Sequence, residues 1–266
     1  MGDTPDAARL RPARRIGRMS QPRGGRGASK PRRRISVVGV LGELLITAGA
    51  FVLLFLAWQL WFNDFVVDSK LHEASLQQSQ QWQKDETSVA HGTPEAPPVL
   101  GTPAASSVFG LMIVPRFGAD YYRPIAEGTG TKAVLNLGEI GHYPKSEMPG
   151  AVGNFAVAAH RTSYGKPFNQ ISSLTVGDHL YVETADGWYA YIFRNLEYVR
   201  PTGVGVVAPV PQTDGATPTD RLMTMTSCNP LFSSAERIIA YSVFDRFYPR
   251  ADGPPDEIAA TVNGTA

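Results

Sequence analysis

Cys228 is the only cysteine among 266 residues, and its surroundings suit a nucleophile. It closes a run in which Leu222, Thr224, Thr226 and Cys228 fall on one side of a strand and Met223, Met225 and Ser227 on the other. Asn229-Pro230 then stops the strand, because proline cannot continue a ladder. A thiol at a strand end where a loop opens is placed to do chemistry. The bland alternative is a buried free cysteine acting as a small apolar residue. A thiol becomes a thiolate near neutral pH only beside a base or a cation. Five histidines are available. His72 and His91 fall in a polar stalk away from any core, His179 follows Gly177-Asp178 in a solvated turn, and His142 sits in a Gly-His-Tyr-Pro loop with no clear role. His160 ends the run Asn154-Phe-Ala-Val-Ala-Ala-His and gives way at once to Arg-Thr-Ser-Tyr-Gly, so it occupies a strand end as Cys228 does. Arg237 opens the strand that follows the Cys228 loop. If those two strands pair, its guanidinium comes near the sulfur and offers fixed donors to an oxyanion. The alternative for Arg237 is a surface ion pair with Glu236 or Asp245. Thr226 and Ser227, just ahead of the thiol, are expected to contact substrate.

His160, Thr224-Met-Thr-Ser-Cys228 and Arg237, in that order, resemble the sortases, the cysteine transpeptidases of Gram-positive surfaces. The family pattern at the nucleophile is Thr-Leu-x-Thr-Cys; Met225 here stands for the leucine and Ser227 for the second threonine. The short gap from Cys228 to Arg237, Cys-Asn-Pro and Gly153-Asn-Phe-Ala-Val-Ala-Ala-His-Arg-Thr-Ser-Tyr-Gly165 are similar to class E, the actinobacterial branch. So are Gly141-His-Tyr-Pro144, Met148-Pro-Gly150, Gly187-Trp-Tyr189 and Pro209-Val-Pro211. The resemblance covers about 108–249. It implies an eight-stranded β-barrel and a two-step reaction on a C-terminal sorting signal, Leu-Ala-x-Thr-Gly rather than Leu-Pro-x-Thr-Gly. Cys228 would attack the Thr–Gly carbonyl, His160 would act as acid and then base, and Arg237 would hold substrate or oxyanion. The implied partners are sorting-signal-bearing surface proteins and an accepting amine, on a peptidoglycan precursor or a pilin lysine. No metal motif is evident, and no cofactor is expected.

Two other classes compete. A hydrolytic cysteine peptidase or an L,D-transpeptidase also uses Cys and His, although the latter would show a Ser-x-Gly-Cys block where this chain has Thr-Ser-Cys. A membrane-tethered β-domain that binds wall or a partner explains the architecture but gives the His–Cys–Arg set no task.

The elements that must position these residues are short. Phe109–Val114, Phe155–Ala159, His179–Glu183, Trp188–Asn195, Leu196–Arg200, Leu222–Thr226 and Ile238–Phe244 read as strands separated by turn signals. The pattern predicts a mostly-β barrel or sandwich of seven or eight strands over 108–250, large enough for one core. After Arg250 the chain is rich in Gly, Pro and Asp and is expected to be a flexible tail (251–266).

The N-terminal third has a different composition. Residues 1–34 hold eleven Lys/Arg and two Asp/Glu, and the remainder fourteen and twenty-two, so a basic head precedes an acidic body. The head has almost no large apolar residues and is expected to be disordered. Ile35 to Phe62 exceeds the ~20 apolar residues that cross a bilayer. Trp58, Trp61 and Phe62 would form its aromatic exit, and Lys30, Arg32, Arg33 and Arg34 abut its entry. The positive-inside rule then gives a plasma-membrane signal anchor with a cytoplasmic N-terminus and an extracellular body, so the basic head reads as a topology signal and not as a nucleic-acid site. A cleaved signal peptide is the alternative, against which stand the length of the apolar run and the lack of a clear small-residue cleavage site after it. Glu43 lies near the cytoplasmic side, where a charge is tolerated. Residues 63–107 read as an extracellular helical stalk of weak periodicity and a Pro/Gly-rich linker, holding the body away from the membrane.

Overall fold

The computed structural model describes residues 36–58, 63–84 and 93–265. The basic head, Trp61, Phe62 and His91 lie outside them. Helix α1 (Val37–Ala57) is long and apolar enough to cross a membrane, and no residue of it is buried by protein.

Eight strands follow: β1 (Val108–Ile113), β2 (Tyr122–Glu127), β3 (Ile140–His142), β4 (Gly153–Ala158), β5 (His179–Glu183), β6 (Gly187–Val199), β7 (Arg221–Asn229) and β8 (Glu236–Pro249). They close into a barrel in the order β1-β2-β3-β4-β7-β8-β6-β5. The β2/β3 and β4/β7 pairs are parallel and the others antiparallel. The eight-stranded barrel is therefore the fold the sequence led us to expect. The two runs read as Trp188–Asn195 and Leu196–Arg200 are one bulged strand, β6, and β2 and β3 escaped the pattern.

Alternation along the strands builds the core. Phe155 and Val157 of β4, Met223 and Met225 of β7, and Ile238 and Ala240 of β8 all point into one buried apolar cluster. Burying an aliphatic or aromatic side chain of this size is worth about 1.5–3 kcal/mol, so the inward set fixes the register of each strand. The intervening residues, including Ala158, Cys228 and Arg237, are left on the outer face.

Three expectations are corrected. The stalk is helix α2 (Asn63–Lys84), and it packs on the barrel instead of standing clear of it. Its contact stripe runs Asp68, His72, Ser75, Ser79, Trp82, a helical period carried mostly by polar residues. Ser75 Oγ donates to Tyr122 O (3.2 Å) and Ser79 Oγ to Glu183 Oε1 (2.6 Å), while Arg250 also pairs with Glu183 (2.8 Å). The linker is likewise laid on the barrel. Pro94 O accepts the Phe247 N–H and Pro98 O the Tyr189 hydroxyl, each at 2.9 Å. The expected C-terminal tail carries helix α3 (Asp256–Val262), whose Ile258 and Val262 are buried in a second apolar cluster with Leu111, Tyr122 and Trp188.

Candidate active site

Register brings the three sequence candidates together. β4 and β7 run parallel with Ala158 opposite Thr226, so His160 and Cys228 each lie two residues beyond a paired position, at the same end of adjacent strands. Ala159 N–H donates to Thr226 O (3.2 Å), which extends the backbone pairing to the residue before His160. β7 and β8 are antiparallel with Cys228 directly opposite Arg237. Because Val157, Met225 and Ile238 face inward, the side chains of His160, Cys228 and Arg237 share the outer face. Cys228 and His160 are both half-buried.

His160 is held on a loop, and its neighbours set its tautomer. Its Nε2 lies 3.0 Å from Asn136 Oδ1, so Nε2–H donates and the neutral ring keeps its lone pair on Nδ1. The Tyr164 ring lies beside it at 5.2 Å between centroids. Partial burial holds the imidazole below the usual histidine range. Arg237 Nη1 donates to Ser234 O (3.0 Å) and Glu236 O (2.9 Å), which leaves the guanidinium folded over the β7–β8 connection and not in an ion pair with Glu236 or Asp245.

His142 is the alternative base, and the fold turns it away. It ends β3 opposite Val157, whose side chain faces inward, and its ring stacks on Phe155 and meets Phe109 edge-on. Nδ1–H donates to Glu127 Oε2 at 2.6 Å, and Nε2 lies 2.8 Å from Ser146 Oγ. These three side chains imitate a Ser–His–Glu triad. The Ser146 hydroxyl, however, is committed to backbone, donating to Tyr143 O (2.9 Å) and receiving the Ala156 N–H (3.2 Å). The set is a buried clamp between β2, β3 and β4. His179 is not in a solvated turn; it opens β5 and bonds Glu257 of α3 at 2.9 Å. His72, read as remote from any core, lies 2.8 Å from Asp120 O and edge-on to Tyr122.

Residues 112–244 match the family model for the sortase domain. Sortase SrtE2 of Streptomyces coelicolor is 32% identical over 245 residues, covering 88% of this chain and 94% of the relative. Sortase SrtE1 of the same organism is 33% identical over 239 residues, covering 88% of this chain but 64% of the relative, slightly under two thirds of its length. Among solved structures, the SrtA sortase from Actinomyces oris is similar at 38% identity with a TM-score of 0.58, over 60% of this chain and 92% of that one. Sortase E1 from Streptomyces coelicolor, crystallised with a tripeptide in the active site, is similar at 36% identity with a TM-score of 0.54, over 57% and 97%. The chain belongs to the sortase family.

The two residues expected to contact substrate divide. Thr226 shares the outer face with Cys228, and its hydroxyl meets the Tyr143 hydroxyl at 2.9 Å. With Tyr143, Val206, Arg237 and Ile239 it lines a pocket of about 80 Å³ beneath the β6–β7 loop. Ser227 points to the opposite side, and its Oγ donates to Ala159 O (2.8 Å), so it ties β7 to β4 and does not face the pocket.

Sequence reasoning missed Arg161, Asn136 and Tyr143. Arg161 is 6% exposed, and its Nη1 donates to Cys228 O (3.3 Å) and to Asn229 Oδ1, and its Nη2 to Ser172 Oγ (3.1 Å). It therefore links the residue after His160 to the backbone of the nucleophile candidate. Its place directly after a strand-end histidine was the only sign in the sequence; its burial, rare for an arginine without a partner, shows only in the fold. Asn136 sits on a 3-10 turn (Leu135–Leu137) far from His160 in sequence, and no local pattern marks it.

Proposed function

We propose that the chain is a membrane-anchored cysteine transpeptidase that cleaves a C-terminal Leu-Ala-x-Thr-Gly or Leu-Pro-x-Thr-Gly-like sorting signal between Thr and Gly. One observation carries this reading: Cys228 and His160 end neighbouring parallel strands on one face, with Arg237 in register opposite the sulfur. In the first step Cys228 Sγ, as thiolate, bonds to the threonine carbonyl carbon. The tetrahedral oxyanion collapses, the C–N bond to glycine breaks, and the leaving amine takes a proton from the His160 imidazolium. In the second step His160, now neutral, removes a proton from an incoming amine, which attacks the thioester and releases the thiolate. Arg237 supplies donors to the oxyanion or to the substrate backbone once it leaves the carbonyls of Ser234 and Glu236. Burial disfavours the imidazolium form of His160 in the free protein.

The pocket beside Thr226 and Arg237 suits the apolar part of the signal, and the tripeptide in the active site of sortase E1 supports a peptide ligand here. The accepting amine would come from a peptidoglycan precursor or a pilin lysine. Helix α1 supports a plasma-membrane anchor with a cytoplasmic N-terminus and the barrel outside, where those substrates lie.

The test is turnover of a Leu-Ala-x-Thr-Gly peptide with and without an added amine. Wild type should release the C-terminal fragment and form the amine adduct, and Cys228→Ala should do neither while staying folded. Release without adduct at any amine concentration would make the protein a hydrolytic peptidase. Normal turnover by Cys228→Ala would exclude thiol catalysis.

A further inference from the structure

Helix α2 reaches the two loops that hold the His160 ring. One loop carries Asn136, whose Oδ1 accepts from Nε2, and the other carries Tyr164, whose ring lies beside the imidazole. Both meet α2 at glycines with positive φ. Gly138, two residues after Asn136, has φ +85, and a Cβ placed there would come within 2.6 Å of Leu71 Cδ1, 3.3 Å of Val67 Cγ1 and 2.8 Å of Tyr164 O. Gly165, next to Tyr164, has φ +75, and its Cβ would lie 3.2 Å from Val67 Cγ1 and 3.3 Å from Leu71 Cδ1. Val67 and Leu71 are four residues apart on one helical face, so the two side chains sit together on the backbone of both loops.

Polar contacts fix the helix in that position. Asp68 pairs with the buried Arg123, His72 Nδ1 lies 2.8 Å from Asp120 O, and Ser75 and Ser79 bond Tyr122 O and the buried Glu183. The loops have turn hydrogen bonds of their own, such as Asn136 N–H to Thr131 O (2.7 Å) and Phe168 N–H to His160 O (3.0 Å), but no strand ladder runs through Asn136 or Tyr164. Asn136 lies on a 3-10 turn, and Tyr164 is itself at φ +53 and exposed. A side chain on irregular backbone keeps a productive geometry only where packing locks its support.

We propose that α2 belongs to the active-site scaffold: Val67 and Leu71 are positioning residues for His160, acting through the Asn136 and Tyr164 loops. The proposal rests on the transpeptidase reading for its effect on turnover, but not for its effect on the ring. Truncating both side chains removes the surface against which Gly138 and Gly165 rest, and the loops then relax around the imidazole.

The test uses the full chain in detergent micelles with ¹⁵N-labelled histidine, and His160→Gln assigns the His160 ring signals. The variants are Val67→Ala/Leu71→Ala, each single alanine variant, and the conservative Leu71→Met. Leu76→Ala serves as the control, because Leu76 packs farther along the same helix against the cluster of Ile258 and Val262. The double variant should shift or broaden the His160 ring signals and lower kcat for the sorting peptide about tenfold, with KM held within about twofold. The single alanine variants should show the same change in smaller degree, and Leu71→Met and Leu76→Ala should match wild type. Unchanged ring signals and kcat in the folded double variant, or in both singles where the double does not fold, would overturn the proposal. So would an equal disturbance from Leu76→Ala. If wild type itself turns over no sorting peptide, the transpeptidase reading fails, and the ring signals still decide whether α2 positions His160.

Discussion

Replacing Arg161 should damage both stability and catalysis, and the two losses can be separated. Arg161 is buried, and its guanidinium spends three hydrogen bonds on Cys228 O, Asn229 Oδ1 and Ser172 Oγ. A hydrogen bond from a charged donor is worth roughly 1.5–3 kcal/mol, and half-buried or exposed acceptors such as Asn229 and Ser172 recover part of that from water. Arg161→Ala should therefore cost about 2–4 kcal/mol, or about 4–16 °C in Tm for a body of this size. The same contacts hold the end of β7 against the first residue of the His160 loop. Their loss frees the Cys228 backbone to shift, and a displacement of about 1 Å at a reacting atom costs about 10²-fold in rate. Arg161→Lys keeps the charge but lacks the fork that reaches a carbonyl, an amide and a hydroxyl together. It should regain part of the Tm and little of the kcat. The assay pairs thermal unfolding of the full chain with kcat and KM on the sorting peptide, measured well below each variant's Tm. An Arg161→Ala protein that unfolds early yet keeps kcat within twofold of wild type would show that the arginine staples two strands without setting the nucleophile. A protein unchanged in both would remove any role for these contacts.

Three further outcomes follow from the site. Arg237→Ala should lower kcat/KM by about 10²–10³-fold, with little recovery in Arg237→Lys, and near-normal turnover would leave Arg237 as a cap on the carbonyls of its own loop. His142→Ala strands the buried Glu127 carboxylate without its partner, so it should destabilise by about 3–5 kcal/mol but retain most of kcat at temperatures where it stays folded; loss of kcat in the folded variant would mean that Cys228 works with the other histidine. Burial lowers the folded pKa of His160, so between its ordinary value near 6.5 and that lower value the unfolded chain binds more protons than the folded one. Acidification through this window should lower Tm, and His160→Gln should reduce the slope; an equal slope in both proteins would show that other groups cause it.

The parts of the molecule that the sequence declares are those where one physical rule acts alone. On β7, burial of Met223 and Met225 imposes a strict alternation, and that alternation already puts Cys228 on the face opposite the core. The same rule applied to β4 and β8 places His160 and Arg237. Strand β2 hides because its inward and outward demands are met by mixed chemistry: Arg123 and Glu127 are both buried, one against Asp68 and the other against His142, and Pro124 interrupts the run. Pro124 is tolerated because β2 pairs with β3 only from Ile125 to Glu127. Helix α2 hides for a related reason. Its spacing of Asp68, His72, Ser75, Ser79 and Trp82 is helical, but a stripe of mostly polar residues reads as solvated unless its partners are known. Those partners are Arg123, Asp120 O, Tyr122 O, Glu183 and Arg250, all more than forty residues away. Helix α3 was legible in part, since Ile258 and Val262 are spaced i, i+4, and the flanking Gly-Pro-Pro masked them.

This division explains why the candidate nucleophile could be found from the chain and its surroundings could not. Cys228, His160 and Arg237 are placed by strand ends and register, which depend on nearby residues and on backbone pairing. Asn136, Arg161 and the α2 face act through single long-range polar or close-packed contacts that leave no period in the sequence. The resulting arrangement is asymmetric: β7 and β8 fix Cys228 and Arg237 through paired backbone, whereas His160 depends on two loops and one helix. Local opening costs least where backbone pairing is sparse. Perturbations that spare the ladders should therefore reach His160 before they reach the thiol, and alkylation of Cys228 should outlast peptide turnover as denaturant is raised. Loss of both at one denaturant concentration would show that the histidine is held as firmly as the sheet.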